Sequence, residues 1–156
     1  MSENLNIEII TSYALIFRKA LEKHIYNHNQ NNPQNIISFP HEYCHEGSLL
    51  LGFYLKKNGI EDVKLYSGQV IHENQWRGIH QWIEINNIKV DITSDQFDGL
   101  SADQIIVSAN SQFHNNYIEQ RSLLYDNFDF NDQPSSITKF YYNVESVINN
   151  KQMRLT

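Results

Sequence analysis

The segment from Ile79 to Ile92 constrains the fold of this chain more than any other, because it has the pattern of a β-hairpin. From Ile79 to Ile85, residues divide into two alternating faces, which is typical of a strand. Asn86-Asn87 follows as a two-residue turn, since asparagine tolerates the positive φ that such turns need. The residues from Ile88 to Ile92 then predict a returning strand, and paired residues should have numbers that add up to roughly 173.

This hairpin predicts that His80 and Asp91 lie on one face. His80, Trp82 and Glu84 share a face by their alternation, and the register puts Asp91 there as well. His80 falls near Thr93 and one diagonal step from Asp91, a separation that an aromatic side chain can bridge. The sequence therefore predicts contact between an imidazole and a carboxylate.

Helical patterns before the hairpin predict a mixed α+β fold. Apolar residues recur at three- and four-residue steps from Leu5 to Tyr26, which indicates an amphipathic helix. A second helix is predicted from Cys44 to about Asn58, with Gly59 as its C-terminal cap. We expect the Cys44 helix to pack on an antiparallel sheet that carries His80 and Asp91.

The other elements follow from weaker patterns. Val63 to Val70 predicts a strand broken at Gly68, and the chain beyond Phe97 is less periodic. Three further elements are predicted there: a strand at 104–108, a short helix at 116–124, and a strand or helix at 137–148. With 156 residues and no internal repeat, residues 1–156 are expected to form one domain.

Composition narrows the class of partner and the compartment. The net charge is −6 and the cationic residues are scattered, so nucleic acid is not an expected partner. Neither a membrane-length apolar run nor a basic, apolar leader occurs, and the single cysteine excludes an intramolecular disulfide. We expect a cytoplasmic protein without membrane contact, although a protein exported without a cleaved signal has the same features.

Cys44 at the start of a helix is the candidate nucleophile. The free N–H groups and positive dipole end of a helix favour a thiolate, and the same N–H groups can bind an oxyanion. A histidine then serves as base and a carboxylate orients it, roles that suit His80 and Asp91. Taken singly, a cysteine or a strand histidine is more often a packing residue; the conjunction of the three favours an enzyme.

The same residues resemble the core of the transglutaminase-like cysteine enzymes. The resemblance covers residues 40–97 and consists of Cys44, Ser48, Leu51, Leu55 and Gly59, the strand ending at Gly68, His80-Gln81-Trp82-Ile83-Glu84, and Val90-Asp91-Ile92-Thr93. It implies a papain-like α+β fold and a catalytic triad of Cys44, His80 and Asp91. It also implies attack on an amide of a peptide or protein through a thioester, with no cofactor and no metal. Hydrolysis is the expected outcome, and transfer to an amine is possible chemistry.

Two parts of the family pattern differ or are missing. Gln81 stands where the family prefers a small residue, so the neighbour of that strand must differ. The upstream group that assists the oxyanion has no clear equivalent, and Tyr43 and Gln34 are the candidates. Trp76 and Trp82 flank His80 and are candidates for lining a substrate groove, although aromatic residues in strands more often pack.

Two other interpretations compete with the thiol enzyme. His41-Glu42-Tyr43-Cys44-His45 matches H-E-x-x-H, a zinc-protease motif that needs both histidines one turn apart in a helix. Its third ligand would have to be one of three residues, Glu61, His72 or Glu73. The second interpretation is a non-catalytic binding protein on the same fold, which an acidic surface and exposed aromatic residues would suit.

Overall fold

Residues 3–153 are described in this computed structural model, and they form an α+β fold with four α-helices and a five-stranded antiparallel sheet. The strand order is β4-β3-β2-β1-β5. The elements in chain order are α1 (Glu3–Asn31), α2 (Cys44–Lys57), β1 (Lys64–His72), β2 (Gln75–Ile85), β3 (Ile88–Asp91), β4 (Ile106–Ser108), α3 (Gln112–Tyr117), β5 (Ile118–Tyr125) and α4 (Ser135–Met153). The α+β prediction is therefore confirmed.

The first two helices cover one face of the sheet. In α1, Phe17 and Leu21 belong to a buried stripe with three- and four-residue spacing, and α1 extends beyond the predicted range at both ends. In α2, nine consecutive residues from Gly47 to Leu55 are buried, so most of this helix lies within the core. Both helices share one hydrophobic core with sheet residues such as Ile83.

The hairpin of β2 and β3 has the predicted register. Ile83 pairs with Val90 and Ile85 with Ile88. Asn86 and Asn87 have φ values of 48° and 68°, so both occupy the left-handed region that the turn requires. The hairpin prediction is confirmed, and β3 ends at Asp91 rather than at Ile92.

The segment around residues 116–124 contradicts its prediction as a helix. The helix α3 ends at Tyr117, and Ile118 to Tyr125 forms β5, which pairs with β1 at the edge of the sheet. Most β5 side chains are exposed, so the strand lacks the alternation of buried and exposed residues that identifies a half-buried strand. Pairing with β1, which the local sequence does not encode, decided its conformation.

Gly68 also differs from its prediction, because it lies inside β1 rather than breaking the strand. A Cβ at this position would stand 2.6 Å from Ile118 Cγ2 and 3.1 Å from Trp82. The glycine thus allows β5 and the Trp82 ring to approach the backbone of β1 closely.

The C-terminal part of the chain settles the remaining predictions. The predicted strand at 104–108 is β4, shortened to three residues, and the segment 137–148 is part of the helix α4. Tyr141, Val144 and Ile148 of α4 are buried at three- and four-residue steps. Across residues 3–153, none of the helices combines the length and the apolar character that crossing a membrane requires.

Candidate active site

Cys44 is the first residue of α2, as the sequence predicts. Tyr43 precedes it as N-cap and, among the described residues, makes no side-chain capping bond to the helix. The backbone N–H groups of the first turn therefore remain available to a bound oxygen. The thiol is half-buried, and its Sγ lies 4.0 Å from the carbonyl oxygen of Ile79 in β2.

His80 lies on β2 beneath the surface, and its side chain is fully buried. Aromatic rings hold the imidazole on several sides. Trp82 stacks on it with a centroid separation of 6.0 Å, while Phe97 and Phe113 meet it edge-on at 5.2 and 5.6 Å. Cys44 lies close enough to the ring to contribute to the raised pKa of His80. Packing thus leaves the imidazole little freedom to rotate away from the thiol.

Asp91, the last residue of β3, completes the cluster and is also fully buried. Its Oδ2 lies 2.6 Å from Nε2 of His80, and its Oδ1 accepts a hydrogen bond of 2.9 Å from the backbone N–H of Thr93. The structure therefore brings together all three residues that the sequence predicts for the site. Its order is the thiol, the imidazole and the carboxylate.

The charges of His80 and Asp91 stabilise each other inside this buried cluster. Burial alone would lower the pKa of His80, but the Asp91 carboxylate outweighs it and, with a smaller contribution from Cys44, raises that pKa to about 9. Burial alone would raise the pKa of Asp91, and the two histidines beside it, His80 and His114, instead hold it well below its ordinary value. The pair of His80 and Asp91 is therefore stabilised as imidazolium and carboxylate.

His114, which the sequence analysis missed, is a second histidine beside Asp91. Its Nε2 lies 3.0 Å from Asp91 Oδ2 but, among residues 3–153, forms no hydrogen bond of good geometry. Its Nδ1 lies 2.6 Å from the hydroxyl of Ser111, the N-cap of α3. A lone histidine in a weakly patterned segment carries no sequence signal for this role, because only the packing of α3 against the sheet brings it to Asp91.

His80, Asp91 and His114 present three ligand atoms within 4.8 Å of one another, which invites comparison with a metal site. Ligand atoms around a tetrahedral zinc ion stand about 3.3 Å apart. The 2.6 Å contact between His80 and Asp91 is shorter and is that of a charge-assisted hydrogen bond. A metal would have to open this bond, so the donor set fits a hydrogen-bonded relay better than a coordination site.

Gln96, also missed by the sequence analysis, contacts the ring nitrogen of His80 that does not contact Asp91. Its Nε2 lies 3.3 Å from Nδ1 of His80. The short 3-10 helix Ser94–Gln96 carries it, and Arg18 of α1 binds the neighbouring Asp95. An arginine inside the apolar stripe of α1 is a sequence signal that could have indicated such a buried ion pair.

The departure at Gln81 has a structural explanation. Gln81 faces α2, where its side-chain Oε1 lies 2.6 Å from Nδ1 of His45 and its carbonyl accepts a hydrogen bond from Ser48. The side chain thus fills space between strand and helix and has its own polar partner in the first turn of α2.

The two residues considered as an upstream oxyanion donor, Tyr43 and Gln34, lie in environments that do not suit this role. Tyr43 packs its ring against Phe39 and Phe140, with centroid separations of 5.8 and 6.4 Å. Gln34 is exposed in the connection between α1 and α2. Both observations fit structural or solvent-exposed roles.

The tryptophans divide into one buried and one exposed residue. Trp82 is fully buried and donates its indole N–H to Glu84, so it cannot line a surface groove. Trp76 is 62 % exposed and Ile79 is 57 % exposed. These two pair with Ile71 and Gln69, which are two residues apart in β1, so Trp76 and Ile79 lie on one face of the sheet. They form an exposed apolar surface, and the carbonyl of Ile79 within it lies 4.0 Å from the Cys44 thiol.

The H-E-x-x-H motif lacks the helix that its chemistry requires. His41 and Glu42 lie in the turn before α2, and Glu42 has a left-handed φ of 57°. Only His45 belongs to the helix. The two histidines therefore do not stand one helical turn apart, which removes the basis of the zinc-protease interpretation.

The arrangement brings a thiol, an imidazole and a carboxylate to the start of a helix, where first-turn N–H groups point outward. Two surface depressions of about 500 and 450 Å³ lie elsewhere, one lined by residues such as Glu61 and Asp126 and the other by Tyr66 and Arg121. Position and chemistry, rather than the size of a depression, thus identify the candidate site. Comparisons with protein-family models, curated proteins and solved structures gave no match.

Proposed function

We propose that this protein is a cysteine enzyme that cleaves an amide bond through a thioester on Cys44, with water as the acceptor. One observation carries the proposal: a half-buried thiol at a helix start lies 4.0 Å from the carbonyl of Ile79, the residue before His80, and Nε2 of the fully buried His80 ring is 2.6 Å from a buried carboxylate. Such an order of groups is what nucleophilic catalysis by a thiol needs.

The first half-reaction starts with Cys44 as a thiolate and His80 as an imidazolium. The Cys44 thiolate attacks the carbonyl carbon, a C–S bond forms, and the C=O π electrons move to oxygen. First-turn N–H groups of α2 donate to that oxyanion. As the electrons return and the C–N bond breaks, the imidazolium of His80 gives its proton to the leaving amine. The products are a thioester on Cys44 and a free amine.

The second half-reaction regenerates the thiol. Neutral His80 takes a proton from water while the water oxygen attacks the thioester carbon, and the C–S bond then breaks with the electron pair on sulfur. A carboxylic acid leaves, and Cys44 and His80 return to their starting state. An amine in place of water would give transfer instead, with the same balance of atoms.

The supporting fold is consistent with the resemblance to transglutaminase-like enzymes of papain-like architecture. A helix that starts at the cysteine packs on an antiparallel sheet, and adjacent strands carry the histidine and the aspartate. Ser48, one of the residues that carry the resemblance, bonds to the strand carbonyl of Gln81 and so ties the helix to β2. The same hydrogen bond helps to keep Cys44 close to His80.

Intact-mass spectrometry of the labelled protein tests the proposal. Cys44 should react with iodoacetamide at pH 6 faster than free cysteine does, and His80→Gln should slow this reaction to the rate of an ordinary thiol. Turnover is then measured on a mixed peptide library, with and without a fluorescent primary amine, to separate hydrolysis from transfer. Slow labelling together with no cleavage and no amine incorporation would favour a non-catalytic binding protein.

A further inference from the structure

We infer that Gln96 is a positioning residue for His80: its side-chain amide keeps Nδ1 of the imidazole as a hydrogen-bond acceptor and so opposes formation of the imidazolium. The contact of amide and imidazole is independent of the enzyme's activity. Its catalytic consequence rests on the function proposed above.

Two backbone groups fix the orientation of the Gln96 amide. The N–H of Glu42, which can only donate, lies 3.3 Å from Gln96 Oε1. The carbonyl of Thr93, which can only accept, lies 3.0 Å from Gln96 Nε2. Since both partners have a fixed polarity, the amide cannot be reversed without losing both hydrogen bonds. Its NH₂ group therefore faces His80.

This orientation selects one state of the imidazole. Gln96 Nε2 lies 3.3 Å from His80 Nδ1, and an NH₂ group can only donate. Nδ1 must then present its lone pair, which leaves the ring proton on Nε2, the nitrogen beside Asp91 Oδ2. Protonation of Nδ1 would bring two N–H groups face to face, so Gln96 disfavours the imidazolium.

The titratable groups facing His80 act from three other elements. Asp91 of β3, which contacts Nε2, and Cys44 of α2 both favour the imidazolium. His114 of α3 has its ring centroid 6.2 Å from that of His80. Gln96 is uncharged and opposes protonation of the ring through the polarity of its hydrogen bond alone. It thereby balances the carboxylate on the opposite side of the ring.

The opposing effects of Asp91 and Gln96 on the protonation of His80 would help acyl transfer. His80 must hold a proton while the amine leaves and must accept one when water attacks, so a ring trapped as imidazolium would stall the second half-reaction. Asp91 alone pushes His80 toward that trapped state. The amide of Gln96 limits the effect and holds Nδ1, the ring nitrogen that does not contact Asp91, in its unprotonated form.

The test is the titration of His80 by ¹⁵N and ¹H NMR in a Cys44→Ala protein, which removes coupling to the thiol. Gln96→Glu replaces the amide by a carboxylate and should raise the pKa of His80 by about one unit or more. Gln96→Met, which keeps size and removes the donor, should raise it by less. Gln81→Glu is the matched control, since it adds the same charge one residue from His80 but faces His45. It should shift the pKa of His80 far less.

The inference also predicts that neutral His80 carries its proton on Nε2, which the ¹⁵N shifts of the ring report. A proton on Nδ1, or equal pKa values in the Gln96→Met and parent proteins, would overturn it. If the Gln96→Glu protein does not fold, the titration of His80 in the Gln96→Met protein and the tautomer of neutral His80 still test the inference. Because neither readout needs turnover, a shift in His80 without any reactivity of Cys44 would reject the proposed enzyme and keep the role of Gln96.

Discussion

Arg18 and Asp95 form a two-pronged ion pair in which Nη1 lies 2.8 Å from Oδ1 and Nη2 lies 2.8 Å from Oδ2. Arg18 is almost fully buried in α1 and also donates to the carbonyl of Ile92, at 2.8 Å. It therefore ties the chain between Asp91 and Gln96 to the first helix. The ion pair contributes to the site by fixing the segment that connects two of its residues.

Replacing Arg18 should destabilise the protein and disturb the site together. In Arg18→Met, the carboxylate of Asp95 and the carbonyl of Ile92 lose their donor, which should lower the free energy of unfolding by about 3 kcal/mol. Urea unfolding measures this change. Lys19→Met removes a cation from an exposed neighbouring position and should change stability by less than about 0.5 kcal/mol. Equal effects of the two variants would contradict a special role for the ion pair.

Cys44→Ala should abolish thioester formation and leave the fold intact. The hydrogen-bond contact of the thiol with the carbonyl of Ile79 is long, at 4.0 Å, so its removal costs little packing. We expect an unchanged circular dichroism spectrum, a nearly unchanged melting temperature and turnover at the background rate. Turnover of the Cys44→Ala protein at the wild-type rate would show that another group is the nucleophile.

Asp91→Asn should reduce the rate far more than it disturbs the structure. The amide of asparagine would donate to Nε2 of His80 and force the ring proton onto Nδ1, so the base would face Cys44 in the wrong tautomer. We expect a loss on the order of 10⁴ in kcat, the magnitude seen for the same change in the serine-protease template. Asp98→Asn, at an exposed position, is the control. A loss of less than tenfold would demote Asp91 to a structural residue.

The pH dependence of stability should show the charged pair. Because the pKa of His80 is raised from 6.5 to about 9, its contribution is complete below pH 6.5 and disappears as the pH rises through about 9. The lowered pKa of Asp91 means that its contribution is present above its ordinary value of 3.8 and is lost as the pH falls below that value. Urea unfolding of the wild-type and His80→Gln proteins gives the difference between their free energies of unfolding at each pH. A difference that stays constant from pH 6 to 10 would contradict the pairing.

Trp76→Ala should weaken substrate binding without changing the chemistry at Cys44. Trp76 is exposed and lies on the same face as Ile79, whose carbonyl is beside the thiol. If the substrate covers this surface, KM should rise several-fold at constant kcat, and labelling by the small reagent iodoacetamide should not change. Tyr142→Ala removes an exposed aromatic side chain from α4 and serves as the control. A fall in kcat, with KM constant, would place Trp76 in the catalytic step instead.

Sequence patterns predicted the parts of the site that depend on near neighbours in the chain. The alternation in β2, the turn at Asn86-Asn87 and the start of α2 at Cys44 all follow from local preferences and spacing. Together they placed His80 and Asp91 on one face. The helix predicted at residues 116–124 was wrong because an exposed edge strand lacks the period that identifies a strand.

The sequence by itself determined the candidate nucleophile, the hairpin and the pairing of imidazole with carboxylate, because backbone geometry relates these residues over short distances. Only the tertiary structure decided that Arg18, Gln96 and His114 complete the surroundings of the candidate site. Their contacts join segments far apart in the chain. Such contacts arise from the packing of helices and connections on the sheet, which no local period in the sequence records.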